Sequence, residues 1–125
     1  MELNKLTEEE KRVIIDKGTE APFSNIYYKE TAKGTYRCKQ CGNLLFYSNA
    51  KFDSDMPGLA GWPSFDQAIP GSVEYQDDDT MSMHRTEVVC SKCKGHLGHL
   101  FPDSESNTGK HFCVNSCSLD LEKEK

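Results

Sequence analysis

The apolar pattern changes character near residue 36. Before it, Leu6, Val13 and Ile14 lie on one stripe at helical spacing. Thr7 followed three residues later by Glu10 fits a capping box, Glu8 and Glu9 suit a first helical turn, and Gly18 is a natural stop. Residues 1–18 therefore read as a short helix laid on a core. From 19 to 35, Pro22 and Gly34 bracket Phe23, Ile26, Tyr27 and Tyr28, the pattern of an extended arm with one short strand. Beyond it come short aromatic or β-branched runs at 36–38, 44–47, 72–75, 87–89 and 112–115, separated by turn signals. The expected fold class is mainly β: two small antiparallel sheets or a partly open barrel, with short N-terminal helices. Residues 51–71, with Gly58, Gly61, Pro57, Pro63 and the chain's single tryptophan, Trp62, read as a long loop of the kind that lines sites. Asp77, Asp78 and Asp79 read as a solvated turn, because adjacent carboxylates repel when buried.

At 125 residues the chain makes one domain, 1–125, able to bury its own core. No apolar run approaches the roughly 18 residues of a membrane span, and the polar, acidic start does not read as a signal peptide. A net charge of -5 without a basic cluster argues against a nucleic-acid surface. Six cysteines in such a chain point to a reducing compartment, read as the cytoplasm, where paired cysteines are more often metal ligands than disulfides.

Two segments change the picture from a plain β domain to one with chemistry. Cys38-Lys-Gln-Cys41-Gly and Cys90-Ser-Lys-Cys93-Lys-Gly are both Cys-x-x-Cys turns followed within two residues by glycine. Two residues between ligands let one tight turn present both sulfurs, and the glycine relieves the backbone where it folds back. Two such turns supply the closed thiolate set of structural zinc, one ion that holds the fold and leaves no position for substrate. Iron is the competing metal for this ligand set.

Cys113 and Cys117 remain. His111, Cys113 and Asn115 share one face if this stretch is a strand, and His96 and His99 follow directly on the second Cys-x-x-Cys turn. Imidazoles near a thiol lower its pKa and shuttle protons, so the group reads as a nucleophile with acid/base partners. Cys117 reads as a core residue, since four residues of strand span roughly 13 Å, too far for a direct disulfide to Cys113.

At this point the chain resembles the B-type methionine-R-sulfoxide reductases. The resemblance rests on Gly-Thr-Glu-Ala-Pro-Phe-Ser from Gly18, Tyr-Arg-Cys-Lys-Gln-Cys-Gly from Tyr36, Lys-Phe-Asp-Ser from Lys51 and Gly-Trp-Pro-Ser-Phe from Gly61. It continues through Arg-Thr-Glu-Val-Val-Cys from Arg85, Gly-His-Leu-Gly-His-Leu-Phe from Gly95 and Phe-Cys-Val-Asn-Ser from Phe112. It implies two antiparallel sheets, N-terminal helices and a distal zinc, with no organic cofactor. It implies reduction of the R epimer of methionine sulfoxide, free or in oxidised proteins, by a cytoplasmic monomer with thioredoxin or another thiol as reductant. Cys113 looks like the nucleophile, with His99 and His96 binding and protonating the sulfoxide oxygen and Asn115 orienting substrate or a water. Trp62 looks like the wall for the substrate methyl, with His111 and Phe112 as further substrate contacts. His111 stands where the family often has arginine. The family often carries a recycling cysteine where this chain has Ala60, which leaves an external thiol or Cys117 to reduce the Cys113 sulfenic acid. The rival classes are a zinc-stabilised module that binds a small ligand or peptide without redox chemistry, and a zinc-ribbon nucleic-acid binder disfavoured by the acidic charge.

Overall fold

The computed structural model describes residues 2–24, 26–54, 56, 58–80 and 84–124. Its one described α-helix, α1 (Glu8–Ile14), begins as the residue types require. The Thr7 hydroxyl accepts from the Glu10 N–H at 3.2 Å, and the Glu10 carboxylate accepts from the Thr7 N–H at 2.8 Å. Such a cap stabilises a helix by about 1 kcal/mol. Val13 and Ile14 are buried against the rest of the chain. The helix stops before Gly18, and the left-handed residue beyond it is Lys17, at φ 59°. Gly18 is small for another reason: a Cβ there would meet the Arg12 carbonyl oxygen at 2.8 Å.

Nine strands follow among the described residues: β1 (Gly34–Cys38), β2 (Leu44–Tyr47), β3 (Lys51–Phe52), β4 (Ser64–Phe65), β5 (Val73–Asp78), β6 (Arg85–Cys90), β7 (His96–Pro102), β8 (Lys110–Val114) and β9 (Leu119–Lys123). They form two antiparallel sheets, one ordered β2-β1-β9, the other β3-β4-β8-β7-β6-β5. The arm from 19 to 33 holds turns rather than the expected strand among its described residues. The supposed loop at 51–71 contributes β3 and β4, and β4 pairs directly with β8.

The core lies between the sheets. Phe46 of the small sheet stacks on Phe65 of the large one, ring centroids 4.3 Å apart, while Tyr36 meets Phe65 edge-on at 5.1 Å and Phe112 meets Phe46 at 5.7 Å. Because successive side chains of a strand point to opposite faces, sending Phe112 and Val114 into this core sends Cys113 to the other side. Pairing carries that parity across the large sheet: Cys113 faces Ser64 on β4 and His99 on β7, His99 faces Glu87 on β6, and Arg85, two residues along, faces Asp78 on β5. One sheet thus has an apolar face built of Phe65, Val88, Phe112 and Val114, and an opposite face that carries the titratable groups.

Candidate active site

The second Cys-x-x-Cys turn leads straight into the strand that carries His96 and His99. Both turns close alike: Gly42 N–H donates to Cys38 C=O at 2.8 Å, and Lys94 N–H to Cys90 C=O at 2.9 Å. The left-handed residue after the second cysteine is Gly42 in one turn (φ 82°) but Lys94 in the other (φ 63°). Gly95 is instead required by contact, since a Cβ there would come within 2.8 Å of Ile14 and 3.3 Å of the Cys93 sulfur. The four sulfurs of Cys38, Cys41, Cys90 and Cys93 all lie within 4.8 Å of one another, with Cys38–Cys93 and Cys41–Cys90 both at 3.6 Å. A tetrahedral ion bound at about 2.3 Å to each sulfur needs sulfur separations of about 3.8 Å. The donor set therefore fits one metal ion. Gly95 N–H and the Asn43 amide point at the Cys93 and Cys90 sulfurs, at 3.4 and 3.6 Å.

His96 and His99 are three residues apart, and on a regular strand they would point to opposite faces. The structure removes that conflict with a bulge: Val88 pairs with Gly98, yet Val89 pairs with His96, so Leu97 is the extra residue. The two rings meet edge-on with centroids 5.5 Å apart. Gly98 is needed beside this bulge, because a Cβ on it would lie 2.0 Å from the Cys113 carbonyl oxygen and force β7 away from β8.

Each imidazole is held by a carboxylate. His96 Nδ1 is 2.8 Å from Glu87 Oε2, and the Lys17 ammonium is 3.2 Å from Glu87 Oε1. Burial holds the His96 ring below the ordinary histidine pKa, with the Glu87 carboxylate pulling the other way. The neutral ring then keeps its proton on Nδ1 toward Glu87. Nε2 is buried without a protein partner among the described residues. His99 Nε2 lies 2.7 Å from Asp78 Oδ2, which also binds Arg85 at 3.2 Å. Asp78 is therefore no solvated turn residue. Hydrogen bonds from Thr80 and then His99 hold its carboxyl well below the usual carboxylate range, while Asp77 and Asp79 on either side are exposed.

Cys113, Asn115, His99, Trp62, Arg85 and Phe101 line one small open pocket, closed on its other sides by Thr19, Gly58, Leu59 and Gly98. Burial, and after it the Glu20 charge, pushes the Cys113 thiol up to about 12. Among the described residues its sulfur makes no hydrogen bond to an imidazole and reaches only a loose contact, 4.0 Å, with the Leu59 carbonyl oxygen. Trp62 is fixed as a wall by its Nε1–H, which donates to the Glu20 carbonyl oxygen at 2.9 Å. Asn115 is clamped at both ends: its Nδ2 donates to Leu97 C=O at 3.1 Å, and its Oδ1 accepts from Glu20 N–H at 3.1 Å.

Four expected site residues lie outside the pocket lining: His96, whose ring is buried beside Glu87, and Phe112, His111 and Cys117. Phe112 belongs to the core, as strand parity requires. His111 shares the face of Cys113, but its ring is wholly buried between Asp103, at 3.0 Å from Nδ1, and Ser64, at 2.7 Å from Nε2, with Phe52 edge-on. Cys117 sits in the 3-10 turn Ser116–Ser118, packed toward α1, its thiol pushed up to about 12 by burial and then by Glu20. Glu87, Asp78, Arg85 and Phe101 were given no site role from the sequence. Their signal is the alternation along β5 to β7: once Val88 and Phe112 are placed in the core, Glu87 and Arg85 must share the face of His99.

Comparison with known proteins adds a family to this geometry. A SelR domain model matches residues 6–123. The peptide methionine sulfoxide reductase MsrB of Leptospira interrogans is 48% identical over 120 residues, covering 95% of this chain and 88% of that protein. Its namesakes in Bradyrhizobium diazoefficiens and Methanosarcina barkeri are 50% identical over 111 residues (88% of this chain, 77% of that protein) and 46% identical over 121 residues (96% and 82%). Among solved structures, the Mis18 'Yippee-like' domain shares the fold, with a TM-score of 0.57 at 17% identity over 74% of this chain and 98% of its own.

Proposed function

The chain belongs to the SelR-domain family, and on that premise we propose that it is a peptide methionine sulfoxide reductase acting on the R epimer, with Cys113 as nucleophile. The observation that carries the residue roles is the meeting, in one pocket, of Cys113, the Trp62 wall and His99. The Cys113 sulfur attacks the sulfoxide sulfur. The oxygen, a poor leaving group until protonated, takes a proton from His99, whose ring Asp78 orients. The oxygen then passes to the Cys113 sulfur as the new sulfur–sulfur bond and the old sulfur–oxygen bond break, so that methionine leaves and Cys113 carries a sulfenic acid. Burial holds the resting thiol protonated near neutral pH, so the attack requires that its proton be taken by a base. The neutral His96 ring, whose buried Nε2 has no protein partner among the described residues, meets the His99 ring edge-on and is assigned the part of a base that relays through it.

Selection between epimers follows from the register. Cys113 lies between β4, which leads back to Trp62, and β7, which carries His99. A flat apolar wall takes the methyl and the acid takes the oxygen, so the third substituent of the chiral sulfur has one way out. Only one epimer satisfies all three. We assign it as R.

We assign zinc to the four-cysteine knot, as a closed thiolate site with a structural role. An external thiol, thioredoxin or another, attacks the sulfenic acid, releases water and leaves a mixed disulfide that a second thiol resolves. Support comes from Cys117, which is buried and whose N–H is held by Glu20, and from Ala60, which puts no thiol at its place in the loop beside Cys113. We place the enzyme in the cytoplasm, where these thiols stay reduced. No described helix is long and apolar enough to cross a membrane.

The deciding experiment is turnover of separated R and S epimers of a methionine-sulfoxide peptide with dithiothreitol. Turnover of R alone is expected, and Cys113→Ser abolishes it. Turnover of neither epimer by metal-loaded, reduced protein would leave the pocket as a binding site and end the enzyme reading.

A further inference from the structure

Glu20 takes no part in the reduction as described, yet it binds three pieces of the site at once. Its N–H donates to the Asn115 side chain at 3.1 Å, and its carbonyl accepts from the Trp62 indole at 2.9 Å. Its carboxylate Oε1 accepts from the Cys117 N–H at 2.9 Å. The residue is 2% exposed, and its second carboxylate oxygen is buried with no protein partner among the described residues. It sits in a stretch with no strand or helix around it, so those three bonds, and not a ladder, fix its place. Thr19, just before it, already lines the pocket.

A buried carboxylate oxygen left without a donor destabilises the fold. A neutral residue could fill the space without that penalty, so packing alone does not account for Glu20. We propose that Glu20 is a positioning residue for the reduction: it straps the Trp62 wall, Asn115 and the backbone just after Cys113 into one frame, so that the substrate methyl and the attacking sulfur keep a fixed relation. This rests on the reductase reading given above. The strap works through geometry. The carboxylate anchors its own backbone to the Cys117 N–H, and that anchored backbone holds the indole and the amide.

The same carboxylate faces both leftover thiols. It adds to burial in raising Cys113 and Cys117. The other charges around them are Glu9, Glu10 and Arg12 of α1 on the Cys117 side, and His99 and Arg85 of the pocket on the Cys113 side. Removing the Glu20 charge therefore leaves Cys113 with burial as its main restraint, and its proton comes off at lower pH.

Trp62 is the chain's single tryptophan, so its emission reports the wall directly. Glu20→Ala removes anchor and charge, while Glu20→Gln keeps an acceptor for the Cys117 N–H and loses the charge. Glu20→Ala is expected to red-shift Trp62 emission and raise KM about tenfold, with a smaller change in kcat. Glu20→Gln should restore the emission and most of the KM, yet shift the pH profile of Cys113 alkylation by iodoacetamide, read by peptide mass mapping, to lower pH. Unchanged emission and KM in Glu20→Ala overturn the strap, as does a Glu20→Gln emission shifted as far as that of Glu20→Ala. Should Glu20→Ala fail to fold, Glu20→Asp, which keeps the charge but shortens the reach to the Cys117 N–H, takes its place: red-shifted emission with a raised KM supports the strap, and wild-type emission and KM overturn it. Emission and alkylation need no substrate, so a wild-type protein that turns over neither epimer would sink the reductase reading while these arms still judge the strap.

Discussion

The metal knot and the reaction pocket sit at opposite ends of β7's approach and are built by opposite means. The knot is one local device used twice: two turns with the same hydrogen bond, each presenting two sulfurs three residues apart. The pocket has no repeated part. The stretch at Thr19, the loop from Gly58 to Trp62, and strands β6, β7 and β8 each give it one to three side chains. The knot fails only if its ligands or its metal go. The pocket fails if any of several strands slips by one residue, because a slip turns every side chain to the other face. A site can therefore be as well ordered as the knot and still depend on long-range pairing for its existence.

The sharpest way to separate the two is to damage each in turn. Stripping the metal with a chelator, or replacing Cys90 with serine, should abolish cooperative melting. Structural zinc contributes of order 10 kcal/mol to small metal-held folds, comparable to a whole domain's stability. Cys113→Ser should instead leave the melting temperature within a few degrees of wild type and remove all turnover. Metal content and thermal melts on the same samples check both, and an unchanged melt after verified metal loss would erase the distinction.

A smaller effect tests the register. Gly98→Ala places a Cβ 2.0 Å from the Cys113 carbonyl oxygen. It should destabilise the protein by about 3 kcal/mol and lower kcat/KM more than the stability loss explains, with the metal still bound. Wild-type stability and activity in this variant would mean that β7 and β8 need not approach so closely.

The smallest effect concerns Asp78. Its folded pKa is depressed by Thr80 and His99, so its stabilising contribution is fully present above the unfolded value of about 3.9 and is lost as pH falls through the folded value. Asp78→Asn should therefore be less stable than wild type by a constant margin from pH 7 down to about pH 5, the margin closing only in stronger acid. Its kcat should fall about tenfold or more as His99 loses its orienting partner. A stability gap that closes near neutral pH would assign the effect to another group.

The parts of the molecule legible in the sequence were those whose bonds are local. The Thr7–Glu10 cap and the two Cys-x-x-Cys turns close within a few residues, so residue type and spacing suffice. The alternation of His111, Cys113 and Asn115 was also readable, because strand parity is a short-range rule. What was hidden depends on partners far along the chain. The bulge at Leu97, which brings His96 and His99 to one face, exists only against Val88 and Val89. Asp78 reads as one of three solvated carboxylates until the β5–β6 pairing sets it against Arg85, two residues from the Glu87 that faces His99. His111 has the right parity for substrate contact, and only Asp103 and Ser64 reveal that its ring is already committed. Lys94 shows a further limit: the glycine next to it suggested where the turn reverses, but the reversal falls on the lysine and the glycine serves packing against Ile14.

The second cysteine turn runs without a break into the strand that holds both histidines. A disturbance of the four sulfurs would therefore be felt at the imidazoles without any intervening loop to absorb it, so that an element built for holding also sets the aim of the elements built for reacting.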